Sequence, residues 1–252
     1  MMVNAGDFEE LSVSCVASET GRKPTKLADR RQLLTLDQLH SSNDIFVSIS
    51  GLIGAGKTTL ATGLAKRMDL PCFYEPVVEN TYLADFYRDP KRYSFPLQIY
   101  LLNRRFQQHQ QIIWQGKGGV QDRTIYEDSV FAKVLRDMAM MEPREFDTYQ
   151  SLFSNMSNFM KKPNLIVHLD VSPEESLKRI RMRKRDYESE ISLDYLRKLY
   201  KAYEEFLGDI SRIIPIIRVN YNQFHSSDEM AEMIVREYSQ MTSVRHVTFD
   251  EH

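Results

Sequence analysis

Gly51-Leu52-Ile53-Gly54-Ala55-Gly56-Lys57-Thr58 reads G-x-x-x-x-G-K-T, a spacing in which glycines let backbone N–H groups turn inward around a polyphosphate. Its flanks decide the fold. The run before it, Ile45-Phe46-Val47-Ser48-Ile49-Ser50, is short, β-branched and apolar, and the run from Thr59 to Met68 has helical spacing. Strand, glycine loop and helix in that order aim the positive end of a helix at an anion. Residues Gly51, Leu52, Ile53, Gly54, Ala55, Gly56, Lys57, Thr58 and Thr59 are therefore the candidate nucleotide cradle. Lys57 reaches the outer phosphates, and Thr58 holds a Mg²⁺ that bridges them. A glycine-rich turn without a ligand is the plainer alternative, disfavoured by the strand on one side and the helix on the other. The loop implies a nucleoside triphosphate and leaves open what receives the phosphate.

Working outward, Pro71 to Val77 reads as a short strand carrying Glu75 and stopped by Pro76. In an open parallel sheet, ligands gather outside the carboxyl ends of the strands. Glu75 is thus expected near the loop, where a carboxylate can take a proton from an attacking hydroxyl; a solvated glutamate is the alternative. Thr81 to Asp89 predicts a short helix closing at Pro90. A long amphipathic helix follows from Phe95 to about Trp114, with Leu97, Tyr100, Leu101, Phe106, Ile112 and Ile113 on its apolar face. Asn103 and Arg104 are expected in solvent, whereas Gln98 can point into a pocket.

Gly118 to Thr124 predicts a strand ending in Asp122-Arg123. Asp122 can bind Mg²⁺ or its waters, and Arg123 can hold a phosphate or the Glu75 carboxylate; a surface ion pair of little energetic weight is the alternative. Ile125 to Met141 reads as a helix with Asp128 in its first turn, and a second runs to about Met160. Asn164 to Asp170 is a buried strand. Ser172-Pro173-Glu174-Glu175 then starts a helix with a cap, a proline and first-turn acids. Its later part, Lys178 to Arg185, is crowded with charge. Arg179 and Arg183 share a face at i, i+4, and arginines closing over a transferring phosphate stabilise it, so the run is a candidate lid. Ser192 to Leu207, Ile213 to Val219 and Ser227 to Met241 complete the pattern as helix, strand and helix. About five strands alternating with helices predict an α/β fold, a parallel sheet covered on both faces.

The 252 residues suit one such domain, expected over 44–241, with an N-terminal extension at 1–43 and a tail at 242–252. Leu33, Leu34, Leu36 and Leu39 can form one short helix in the extension. A net charge of −2 gives no global pull toward nucleic acid or an anionic membrane. Cys15 and Cys72 alone cannot frame disulfides and fit a reducing compartment. No apolar run approaches a membrane span, no signal-peptide core is present, and Asp7, Glu9 and Glu10 argue against a mitochondrial presequence. A cytoplasmic location is the expectation.

These motifs, in this order, resemble the deoxynucleoside kinase family from about Ile45 to Met241, nearest to the purine-preferring deoxyadenosine and deoxyguanosine kinases of bacterial type. The resemblance rests on Glu75-Pro76-Val77, Tyr87, Gln98, Asp122-Arg123-Thr124, Asp128, Arg179, Arg183, Arg185 and Glu188. It implies a P-loop kinase with a five-stranded parallel sheet, helices on both faces and an arginine-rich lid, using ATP and Mg²⁺ to phosphorylate the 5′-hydroxyl of a deoxynucleoside. Glu75 looks like the base, Arg123 the group orienting it, and Asp122 the acid beside Mg²⁺. Tyr87 and Glu188 look like the holders of the sugar 3′-hydroxyl, in a site that disfavours a 2′-hydroxyl. Gln98 and Asp128, with Arg105 supporting Asp128, look like the readers of the base, and Phe131 a stacking partner. Tyr221-Asn222-Gln223 matches the adenine-contacting turn only weakly. Asn80 stands where pyrimidine-preferring relatives often have tryptophan, which favours deoxyadenosine, with deoxyguanosine or deoxycytidine next. The resemblance also implies a homodimer, with the long helix as one interface element. A thymidylate kinase shares the loop, a Glu-Pro stretch and an Asp-Arg pair, but the neutral-acceptor set fits better. A GTPase switch lacks its N-K-x-D motif here, and a dead nucleotide-binding module leaves the filled catalytic positions without a task.

Overall fold

The computed structural model describes residues 45–75, 80–185 and 188–241. The expected N-terminal extension, its leucine helix, the C-terminal tail and Pro76-Val77 lie outside them. Among the described residues, five strands form one parallel sheet in the order β2-β3-β1-β4-β5. They are β1 (Phe46–Gly51), β2 (Cys72–Phe73), β3 (Gly119–Asp122), β4 (Leu165–Asp170) and β5 (Ile216–Asn220). The eight helices are α1 (Lys57–Met68), α2 (Leu83–Arg88), α3 (Pro90–Gln115), α4 (Asp128–Asp137), α5 (Pro143–Ser157), α6 (Pro173–Arg183), α7 (Leu193–Ile210) and α8 (Ser227–Met241).

Burial explains the order. Every residue of β1 is buried, as a central strand covered on both faces must be. It pairs with β3 through Val47↔Val120 and with β4 through Ile49↔Val167. On one face Val47, Ile49, Val120 and Val167 pack against Leu60 and Leu64 of α1 and Ile234 of α8. The other face carries Ser48, Ser50, Gln121 and His168, all buried. Above it a second apolar layer joins α3, α4, α5 and α7, with Leu102, Leu135, Tyr149 and Leu199 at its centre. The chain leaves β1 at the middle of the sheet and fills both sides of it, so the crevice at the carboxyl ends opens beside β1.

Of the boundaries that differ from the sequence reading, three lie near the crevice and have a local reason. The edge strand β2 keeps two residues, so Glu75 lies two positions beyond its last paired residue. The long helix starts at Pro90 rather than Phe95: Pro90 sits at its first turn, where a missing N–H costs nothing, and the Asp89 side chain caps Arg92 N at 3.3 Å. Ile125–Glu127 forms a 3₁₀ turn before α4, and α4 ends at Asp137, ahead of left-handed Ala139. Asn103 is exposed as expected, while Arg104 is half-buried with its guanidinium over Tyr100 at 5.8 Å.

Candidate active site

The phosphate loop has the backbone its glycines allow. Gly56 caps α1 in the left-handed region at φ 96°, which is nearly cost-free only for glycine. At Gly51, φ is 144° and a Cβ would stand 2.8 Å from the Leu169 carbonyl. Gly51, Leu52 and Ala55 are buried and shape the loop; Ile53, Gly54, Gly56, Lys57, Thr58 and Thr59 line a cavity of about 440 Å³. Lys57 Nζ donates to the loop's own carbonyls, Gly51 O at 3.0 Å and Leu52 O at 2.7 Å. Burial, and then the neighbouring Arg123, push its ammonium down to about 7 against the pull of Glu127, Glu75 and Asp122. At about pH 8 Lys57 is therefore largely neutral, and a bound triphosphate that needs the cation draws in up to one proton. Titration calorimetry of ATP in buffers of different ionisation enthalpy should show this uptake near pH 8, little near pH 6, and none in Lys57→Met.

Thr58 Oγ1 donates to Asp122 Oδ2 at 2.5 Å. The other oxygen, Asp122 Oδ1, is buried without a hydrogen-bond partner among the described residues. Burial raises the Asp122 carboxyl, opposed by Lys57 and Thr58. A hydroxyl beside a carboxylate with an oxygen to spare fits a hard cation completed by phosphate oxygens and water. Among the described residues no cluster of three His, Cys, Asp or Glu side chains offers an all-protein metal site.

Glu75 lies between two arginines. Arg123 Nε stands 3.0 Å from Glu75 Oε1, and Arg105 Nη2 pairs with the same oxygen. Burial would raise this carboxyl, but Arg123, Arg105 and Lys57 bring it down to about 2, so it is ionised at any working pH. Arg123 itself occupies φ 73° at the carboxyl end of β3. A non-glycine residue there is strained and needs surrounding structure to hold it. Its N–H donates to Ile49 O at 3.0 Å and its guanidinium lies 4.9 Å from the centre of the Phe131 ring.

The far end of the cavity gathers the remaining predicted residues. Gln98, Arg105, Phe131, Tyr87 and Glu188 all line it. Asp128 does not. It is 1 % exposed and stands behind Arg105, whose Nη1 donates to its Oδ1, so Arg105 is the member of that pair that reaches the cavity. Glu188 is held by Arg183 at 2.7 and 2.5 Å and by Arg185 at 3.6 Å. Arg179 lies nearer the loop, donating to Glu175 at 2.9 Å and to Tyr221 O at 2.7 Å, and stacking 4.6 Å over the Tyr221 ring. All three arginines of the expected lid thus line the one cavity, two of them gripping the expected sugar carboxylate.

The deoxynucleoside kinase family profile matches residues 47–243. The chain belongs to the deoxynucleoside kinase family. It is 58% identical over 210 residues to a deoxyadenosine kinase of Dictyostelium discoideum, covering 83% of this chain and 86% of that one. A deoxyadenosine/deoxycytidine kinase of Bacillus subtilis (strain 168) is 34% identical over 212 residues, 82% of this chain and 96% of the other. Among solved structures, deoxyadenosine kinase from M. mycoides, with products dCMP and dCDP bound, superposes with a TM-score of 0.71 at 30% identity, covering 78% of this chain and all of that one.

For a deoxynucleoside kinase, the sequence reading missed Glu127 and Tyr203. Glu127 is fully buried. Its Oε2 accepts from Gly51 N at 3.2 Å and from the Tyr203 hydroxyl at 2.7 Å, and its Oε1 from Arg123 Nη1 at 3.2 Å. It ties the first glycine of the kinase's phosphate loop to the arginine that holds Glu75. Tyr203 Oη also lies 3.2 Å from Gly51 O, which competes with Glu127 Oε2 for its single hydroxyl proton. The signal was present but ambiguous. A glutamate beside the more conspicuous Asp128 reads as a first-turn acid, and a tyrosine in the apolar stripe of α7 reads as core.

Proposed function

We propose that this kinase transfers the γ-phosphoryl group of ATP to the 5′-hydroxyl of deoxyadenosine, with deoxyguanosine or deoxycytidine as secondary acceptors. The observation that carries the reading is the placement of Glu75 between Arg123 and Arg105 in the cavity that Lys57 and Thr58 enter from the phosphate loop. The base preference draws its support from the names of the relatives, deoxyadenosine kinases first and deoxyguanosine kinases among them. The thymidylate kinase alternative finds no support in the family to which the chain belongs.

In this mechanism Glu75 accepts the 5′-hydroxyl proton as the oxygen–phosphorus bond forms and the bond to the β-phosphate oxygen breaks, releasing ADP. Arg123 holds Glu75 and meets the moving phosphoryl charge. Lys57 crosses from Gly51 and Leu52 to the outer phosphates, and Arg179, Arg183 and Arg185 close over them. Thr58 and Asp122 would hold Mg²⁺, which offsets charge on the phosphates when bound. Tyr87 and Glu188 hold the 3′-hydroxyl, which requires Arg183 to loosen its grip on Glu188. Gln98 and Arg105, braced by Asp128, read the base above Phe131. We extend the proposal to a homodimer in the cytoplasm, on family membership alone; light scattering of the purified protein and a fluorescent fusion test the two parts.

A panel of the four deoxynucleosides with Mg·ATP, read by ADP release, tests the function. Turnover highest with deoxyadenosine and absent with deoxythymidine monophosphate is the expected outcome. Turnover with the monophosphate alone would refute it.

A further inference from the structure

Arg105 spans two places that the mechanism treats separately. Arg105 is 3 % exposed and, like Gln98, lines the cavity. One terminal nitrogen donates to Asp128 behind the base end, and the other to Glu75 Oε1 at the phosphate end. Asp128 Oδ2 and Gln98 Oε1 are buried acceptors with no hydrogen-bond partner among the described residues. A guanidinium is a rigid planar fork. It cannot turn one nitrogen toward a nucleobase without changing what the other holds.

Arg123 shares Glu75 Oε1 but differs in what fixes it. Glu127, Tyr203 and the Phe131 ring hold Arg123, and none of the three reads a base edge in the mechanism above. Of the two arginines on Glu75, only Arg105 has its second anchor at the base end. Each arginine contacts Oε1, so both act on the same end of the carboxylate. A shift of Arg105 therefore turns the carboxylate that must meet the 5′-hydroxyl.

From this geometry we propose that Arg105 is a positioning residue for Glu75: the base edge that engages Arg105 sets the orientation of the Glu75 carboxylate, so bases are discriminated in kcat as well as in KM. The inference rests on Glu75 being the proton acceptor of the proposed function. Its weight comes from the steepness of catalysis with geometry, where a misplacement of about 1 Å can cost about a hundredfold.

The test is steady-state kinetics of wild type, Arg105→Lys and Arg105→Met with deoxyadenosine and with analogues altered on the base edge, purine deoxyriboside and deoxyinosine. With deoxyadenosine, both variants are expected to lose about tenfold or more in kcat while the KM for ATP holds. Lysine fails to rescue because Asp128 and Glu75 are held by two different nitrogens of one planar fork, and a compact ammonium on a flexible stem does not fix the two carboxylates relative to each other. Across the analogues, the differences in kcat seen in wild type should collapse in both variants. Asp128→Ala, which leaves Arg105 in place but removes the oxygen that anchors it at the base end, should narrow the same differences even if an Arg105 variant folds poorly. A rise in deoxyadenosine KM with kcat unchanged, or full rescue of kcat by lysine, would overturn the inference and leave Arg105 a reader of the base only. Wild-type protein that phosphorylates no deoxynucleoside would instead overturn the function proposed above, and this inference with it.

Discussion

Arg123→Met is expected to lower kcat by about a thousandfold or more, the range in which a transition-state arginine acts in phosphoryl transfer. The side chain has two tasks at once. It holds Glu75 Oε1 from one side at 3.0 Å, and in the proposed mechanism it also meets the charge of the moving phosphoryl group. Stability should fall too. Glu127 is fully buried and keeps only Tyr203 and the Gly51 N–H when Arg123 goes. Removing one partner of a buried ion pair costs about 3–5 kcal/mol. Denaturant unfolding alongside single-turnover kinetics separates the two losses: the rate deficit should persist under conditions where the variant is fully folded. A folded variant with near wild-type turnover would remove Arg123 from the chemistry.

Glu75→Gln should cost about a hundredfold or more in kcat, the contribution of a positioned general base. The amide keeps the size of the side chain and an oxygen for Arg105 and Arg123, and those arginines retain Asp128 and Glu127, so the fold should survive. The pH dependence of stability follows from the same pairing. Because the folded carboxyl sits at about 2, below its ordinary 4.5, Glu75 stabilises the protein above about pH 4.5 and loses that contribution as pH falls toward 2. The stability difference between wild type and Glu75→Gln should accordingly shrink through this acid window. A difference that grows on acidification would show that the two arginines do not hold the carboxylate as described.

Much of this site was readable because its chemistry is contiguous in the chain. The loop from Gly51 to Thr58, Glu75, and Asp122-Arg123 each stand at or just past the carboxyl end of a strand, so finding the strand located the side chain. What sequence concealed is whatever depends on long-range pairing. Tyr203 meets Glu127 and Gly51 across the fold, and nothing local distinguishes it from the core tyrosines around it. Asp128 stands in the first turn of α4 whether it meets substrate or braces Arg105, and its pairing with Arg105 depends on the packing of α3 against α4, which no local pattern reveals. The boundary errors have the same origin. Pro90 ends one helix and begins the next, and a proline is compatible with either role until Asp89 is seen to cap the second. The edge strand β2 stops at Phe73, its last residue paired with β3, so the residues that follow it carry no strand signal to place Glu75.

The central claim is spatial: one cavity holds a deoxynucleoside with its 5′ end at Glu75 and its 3′ end at Tyr87 and Glu188, and a triphosphate tip at Lys57. A crystal structure with deoxyadenosine and a non-hydrolysable ATP analogue tests it most directly. The account predicts the 5′-oxygen within hydrogen-bond reach of the Glu75 carboxylate, the 3′-hydroxyl on Glu188 with Arg183 displaced from it, and Lys57 Nζ on the outer phosphates. A sugar bound with its 5′-oxygen turned away from Glu75, or a nucleoside seated outside this cavity, would contradict it.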